Sequence, residues 1–206
     1  MKVLGITGGV GAGKSTILAY LEQKHGARII QADQVAFHLQ QPGGVCFEEV
    51  VALFGKEILD ADGRIDRGRL ASVVFADSEL LAKLNGIVHP AVKKKIVTEI
   101  EKERQRGKLS FFVIEAALLL EDHYDLVCDE LWYIHTDPEV RCNRLMKSRG
   151  YSEEKVHRIM ENQLGEQVYR EKCQVVIDNS CDQVECAYEQ IDRELAFFLG
   201  RRQNHG

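Results

Sequence analysis

Gly8-Gly9-Val10-Gly11-Ala12-Gly13-Lys14-Ser15 fits the spacing G-x-x-x-x-G-K-[ST]. That pattern is a phosphate cradle. Glycines reach backbone angles that side chains forbid, so successive N–H groups can converge on one anion. The helix starting at the loop adds unpaired N–H groups and the positive end of its dipole. Lys14 is expected to reach the β- and γ-phosphates, Ser15 to ligate Mg²⁺, and Thr16 to lie near the α-phosphate. Gly8, Gly9, Val10, Gly11, Ala12 and Gly13 supply the backbone of the cradle. The implied ligand is a nucleoside triphosphate with Mg²⁺.

Other residues could act on such a ligand. Asp33 follows a strand-like run, at the sheet edge where open α/β folds bind ligands. It reads equally as the carboxylate that orients an alcohol and takes its proton, or as a helix N-cap. Glu115 ends the apolar run Phe111-Phe112-Val113-Ile114. It reads as an acid acting on Mg²⁺ through water, or as a plain strand-end charge. Arg144 and Arg149 are planar donors suited to a transferring phosphoryl group, or solvated helix charges. Lys93, Lys94 and Lys95 fit a solvated helix face better than a phosphate patch. No N-K-x-D occurs, and Asp60-Ala61-Asp62-Gly63 reads as a polar turn. Both observations weigh against a GTPase and leave a small-molecule kinase as the leading class.

The elements that must position these residues are visible as short apolar runs: Lys2–Ile6, Arg28–Ile30, Ser110–Ile114, Glu130–His135 and Gln174–Ile177. None alternates cleanly, which suits strands buried on both faces, hence a parallel sheet covered by helices. A helix is expected from Lys14 to about His25, and another from about Asp182 to Leu199. The long stretch between Ile30 and Ser110 exceeds a single crossover. It predicts a helical insertion over 35–107, whose last helix begins near Ala91 with Pro90 in its first turn. A second helical pair fills 138–172, with Ser152 as an N-cap.

The chain has 206 residues, enough to bury roughly 70% of its unfolded surface without disulfides or a structural metal. Its 27 basic and 32 acidic residues give a net charge of −5, which argues against a general nucleic-acid or anionic-membrane binder. Six cysteines, none at C-x-x-C spacing, read as core or surface fillers. No signal-like segment and no run of 18 apolar residues stands out, so a reduced, cytoplasmic setting is expected.

Several stretches together resemble the dephospho-CoA kinase family. They are Thr7 to Thr16; Ala32-Asp33; Ile65-Asp66-Arg67 with Leu70; Leu84-Asn85 with Ile87, His89 and Pro90; Glu115 to Glu121; Arg144, Arg149 and Gln163; and Ile177 with Asn179. The resemblance implies an α/β, three-layer P-loop kinase fold. That fold has a five-stranded parallel sheet, a helical acceptor subdomain at 35–107 and a helical lid at 138–172, in one domain spanning 1–206. It also implies ATP-dependent phosphorylation of the ribose 3′-hydroxyl of dephospho-CoA, with Mg²⁺. Lys14, Asp33 and Arg144 would be catalytic. Arg149 and Asn179 would join the loop in binding ATP, Asn179 on the adenine side. Asp33, Arg67, His89 and Leu118 would bind the acceptor, and Ser15 and Glu115 the metal. A structural role for His89, or pairing of Arg67 with Asp66 or a nearby acid, remains the alternative. Five positions depart from the family pattern: Gln31, Phe37, Glu115, Ala117 and Arg141, the last standing where the family carries Gln. The rivals are another P-loop nucleotide or small-molecule kinase, and a non-catalytic ATP-dependent switch. Oligomeric state is not legible.

Overall fold

The computed structural model describes residues 1–200. Its centre is a five-stranded parallel sheet with the order β2-β3-β1-β4-β5. The strands are β1 (Lys2–Thr7), β2 (Arg28–Gln31), β3 (Phe111–Glu115), β4 (Glu130–His135) and β5 (Val175–Asp178). The register aligns Ile6 with Glu115 on one side and with Trp132 on the other. The glycine loop therefore leaves the carboxyl end of a strand flanked by two others, the usual place for a ligand in an open α/β sheet.

The described chain divides into two compact units, one built from Met1–Ile29 and residues 103–200, the other Ile30–Lys102. The first unit holds α1 (Lys14–His25) directly after β1. Alternate residues Leu4, Ile6, Phe111, Val113, Trp132, Ile134 and Ile177 of the strands form one buried face. Ile17 and Leu21 of α1 cover it, with the C-terminal helix's Ile191, Leu195 and Phe198. These are large aliphatic and aromatic side chains, each contributing about 1.5–3 kcal/mol when fully buried.

The second unit is helical: α2 (Ala32–Leu39), α3 (Phe47–Phe54), α4 (Arg67–Ala76) and the larger part of α5 (Ser78–Arg106). Here the sequence expectation needs correction. Pro90 does not open a helix near Ala91; it lies inside the 29-residue α5. The reason is a ridge at four-residue spacing that runs through the proline: Val88, Val92, Ile96 and Ile100 are all buried. Burying four such side chains outweighs the roughly 3 kcal/mol of an interior proline.

The stretch 138–172, expected as a helical pair, forms three helices, α6 (Pro138–Arg149), α7 (Glu153–Glu161) and α8 (Glu166–Lys172). Ser152 caps α7 by accepting from the Lys155 N–H at 3.3 Å. The chain then passes through β5 into α9 (Glu185–Gly200). Among the described residues no helix is long and apolar enough to cross a membrane.

Helices α1 and α9 are clasped by a polar cluster. Asp192 accepts from Lys24 at 2.7 Å and from Tyr20 at 2.9 Å, and lies 2.8 Å from His25 Nε2. The Lys24 ammonium holds the Asp192 carboxyl down at about 2. A carboxyl depressed in the folded state gives stability that is present above its unfolded pKa, near 4, and lost as pH falls toward 2. The Tm difference between wild type and Asp192→Asn is expected to hold steady at neutral pH and to close between pH 4 and pH 2. A difference that does not change over that interval would contradict the linkage.

Candidate active site

The loop's shape follows from its glycines. Gly13 sits at φ +83 as the N-cap of α1, and a Cβ there would run into the Asn179 amide. At Gly9 a Cβ would run into the guanidinium of Arg141. Both positions exclude a side chain because another residue already occupies the space.

Around the loop, donors take up its carbonyls. Lys14 Nζ donates to Gly8 O at 2.7 Å and Gly9 O at 3.4 Å. Arg141 Nε donates to Val10 O at 3.0 Å. Ala12 O accepts from Thr136 Oγ1 at 3.1 Å and Asn179 Nδ2 at 2.8 Å. Gly13 O accepts the Thr16 N–H at 3.1 Å, which opens the helix. Lys14 Nζ also lies 3.6 Å from Glu115 Oε1. The cation is thus held at the loop's mouth, facing a carboxylate at the end of β3.

The predicted residues fall into place unevenly. Ser15 and Thr16 lie at the start of α1, and both are exposed. Glu115 is buried, at 8% exposure, beside Lys14. Arg144 Nη2 donates to Cys181 O at 3.4 Å. Its Nη1 is buried without a hydrogen-bond partner and lies 3.7 Å from where a Gly13 Cβ would stand. A guanidinium nitrogen left unpaired beside a phosphate cradle is a donor waiting for an acceptor, because burying it alone costs free energy. Arg149 is at the far end of α6, its guanidinium 5.9 Å from the centre of the Tyr151 ring. Asn179 is 4% exposed and gives its amide to Ala12 O, so the structure puts it behind the loop as a brace.

In the helical unit, the N-cap position of α2 belongs to Gln31, and Asp33 is one residue into the helix. The N-cap reading of Asp33 therefore fails. Its carboxylate is exposed and accepts no hydrogen bond from a described residue. Arg67 does not pair with Asp66. Asp66 caps α4 through the Gly68 and Arg69 N–H groups, at 2.8 and 3.0 Å. Arg67 instead stacks over Phe37 at 4.3 Å, a cation–π contact with one of the residues that departs from the family pattern. His89 is half-buried within α5. Leu118, in the turn after β3, is 43% exposed.

Arg141 is the residue that sequence reasoning undervalued. Besides Val10 O it donates to Gln163 Oε1 at 2.5 Å, tying the loop to the segment after α7. Burial lowers its pKa, as expected for a guanidinium drawn partly out of water. It lines a cavity of about 330 Å³ together with Gly9, Thr136, Gln163, Glu166 and Tyr169. The available signal was its spacing: four residues before the buried Leu145, it lies on the face of α6 that meets the loop.

The donor set fits Mg²⁺. It offers hard oxygens, the Ser15 hydroxyl and the Glu115 carboxylate, and no group of three or more metal-ligating side chains exists among the described residues. Magnesium at nucleotide sites uses one or two protein oxygens with substrate phosphates and water, not a full protein cage.

Known proteins resemble this chain in sequence and in fold. The family model for dephospho-CoA kinase matches residues 2–185. The dephospho-CoA kinase of Corynebacterium diphtheriae is 38% identical over 196 residues, covering 95% of this chain and 96% of that protein. The crystal structure of TT1252 from Thermus thermophilus superposes with a TM-score of 0.80 at 28% identity, covering 95% of this chain and 97% of the other. The dephospho-CoA kinase from Campylobacter jejuni shares the fold, with a TM-score of 0.70 at 23% identity over 96% and 98% of the two chains. With nearly all of its length matched by the family model, this chain belongs to the dephospho-CoA kinase family.

Proposed function

We propose that this chain transfers the γ-phosphoryl group of ATP to the ribose 3′-hydroxyl of dephospho-CoA, giving coenzyme A and ADP. The observation that carries the site reading is Arg144 Nη1, buried and unpartnered beside a loop whose carbonyls are already bonded. What remains on offer there is a set of N–H donors, and the matching ligand is polyanionic.

In this reading the loop from Gly8 to Gly13 and the N-terminus of α1 hold the phosphates. Lys14 leaves Gly8 O for the β- and γ-phosphates and balances charge as the γ-phosphoryl departs. Ser15 and Glu115 would hold Mg²⁺, which would supply neutralisation of the phosphate charge that develops during transfer. Arg144 meets the phosphate chain near Gly13, and Arg149 joins from the lid. Asp33 orients the 3′-hydroxyl and accepts its proton as the oxygen attacks phosphorus. The bond from the γ-phosphorus to the bridging oxygen breaks, and ADP leaves. Arg67, His89 and Leu118 contact the acceptor. Catalysis is then mainly positioning and charge stabilisation. Six free thiols support a reducing, cytoplasmic setting.

The test is acceptor-dependent ADP release with Mg·ATP. Dephospho-CoA is expected to stimulate it and to gain one phosphate by mass, whereas AMP and gluconate leave it at the basal rate. No stimulation by dephospho-CoA would overturn the assignment.

A further inference from the structure

Two thiols follow β5, one of them on the residue whose carbonyl accepts from Arg144, and the reaction above uses neither. Cys181 and Cys186 have their sulfurs 2.9 Å apart, one thiol donating to the other. Cys181 is exposed in the turn after β5, and Cys186 is half-buried in the first turn of α9. The turn is held from both sides. Asn179 is bonded to Ala12 O and His135 O, and Ser180 Oγ accepts the Asp137 N–H at 2.9 Å. Cys186 N–H donates to Gln183 O at 3.2 Å. Residues five apart are therefore presented with their thiols already facing each other.

We propose that Cys181 and Cys186 form a redox-modification site, oxidised by a small-molecule disulfide to an intrachain disulfide that weakens ATP binding. The Cys181 thiolate attacks one sulfur of the disulfide RSSR, forming a mixed disulfide and expelling RS⁻. Cys186, after losing its proton, attacks Cys181 Sγ, forming the intrachain bond and expelling the second RS⁻. The two protons released by the cysteines end on the two RSH, and both electrons reduce RSSR.

The facing pair is what favours a cross-link here, since Cys142 Sγ meets Met146 Sδ at 3.7 Å and no second thiol. The hydrogen bond from Cys186 and the Gln183 N–H pull the Cys181 thiol down, favouring its thiolate, which is the attacking species. Burial pushes Cys128 and Cys173 up to about 12 and also raises Cys46. The coupling to nucleotide is geometric. Cys181 O is the carbonyl that takes Arg144 Nη2, at 3.4 Å. Closing the sulfurs from 2.9 Å to a bond of about 2.05 Å moves Cys181 against fixed neighbours and disturbs that contact. The ATP arm of the test rests on the kinase reading; the cross-link does not.

The test uses the full reduced chain incubated with oxidised glutathione. Expected are the loss of two thiols, a cross-linked Cys181–Cys186 peptide by mass mapping, no retained glutathione, and an ATP Kd raised about three- to tenfold, the span of one hydrogen bond. Dithiothreitol restores the affinity. Cys186→Ser is expected to trap a stable glutathione adduct on Cys181. A stable Cys181 adduct in the wild type, or loss of thiols elsewhere without the cross-link, would overturn the site. A cross-linked chain with unchanged ATP affinity would overturn the coupling. A reduced chain that binds no ATP would overturn the nucleotide reading itself, with the cross-link still scored by mass.

Discussion

Lys14→Met is expected to lower kcat by about 10²- to 10³-fold, the cost of removing one preorganised donor aimed at developing charge. Lys14 is the only charged residue in Gly8–Ser15, so no neighbour in the loop replaces it. Methionine is unbranched and of similar reach, so the packing of the largely buried stem survives. Two losses follow from the geometry. The Gly8 carbonyl loses the 2.7 Å bond, and Glu115 loses a cation at 3.6 Å. Both act locally. The variant is therefore expected to keep its fold, with circular dichroism unchanged, while ATP binding weakens moderately because the backbone donors remain. Steady-state kinetics beside a thermal melt checks this. A folded variant retaining more than a tenth of wild-type turnover would remove Lys14 from the catalytic set.

Asp33→Asn separates a different contribution. The amide is nearly isosteric but cannot accept the hydroxyl proton, so turnover is expected to fall by about 10²- to 10⁴-fold. Unlike Lys14, Asp33 is exposed and accepts no hydrogen bond from a described residue, so the fold has little to lose. The one local cost is a favourable charge in the first turn of α2, worth about 0.3–1 kcal/mol. ATP affinity is expected to stay at the wild-type value, measured by calorimetry without acceptor. Near-normal turnover in this variant would sink the base assignment. A weakened ATP affinity would instead make Asp33 part of the nucleotide site.

Lys14 and Asp33 are legible in the amino-acid sequence; other residues of the site are not, and the difference has physical causes. Gly8 to Ser15 announces itself because its chemistry is local: eight consecutive residues make the cradle. The strands are readable because burial on both faces leaves continuous apolar runs, as in Phe111–Ile114. Pro90 misleads because a local rule meets a longer-range one, the buried ridge from Val88 to Ile100. Arg141 and Thr136 escape notice for another reason. Their partners are the backbone carbonyls of Val10 and Ala12, 131 and 124 residues away, and a carbonyl has no letter in the sequence. Asn179 is visible through the family pattern, yet the work its side chain does, bonding Ala12 O, is not.

Those carbonyl bonds bear on timing. A loop whose outward oxygens are claimed by Arg141, Thr136 and Asn179 is stiff before any nucleotide arrives. It behaves as a mould and not as a closing hand, so its own rearrangement sets no kinetic gate on ATP entry. Only the Lys14 arm must swing, giving up its bond to Gly8 O.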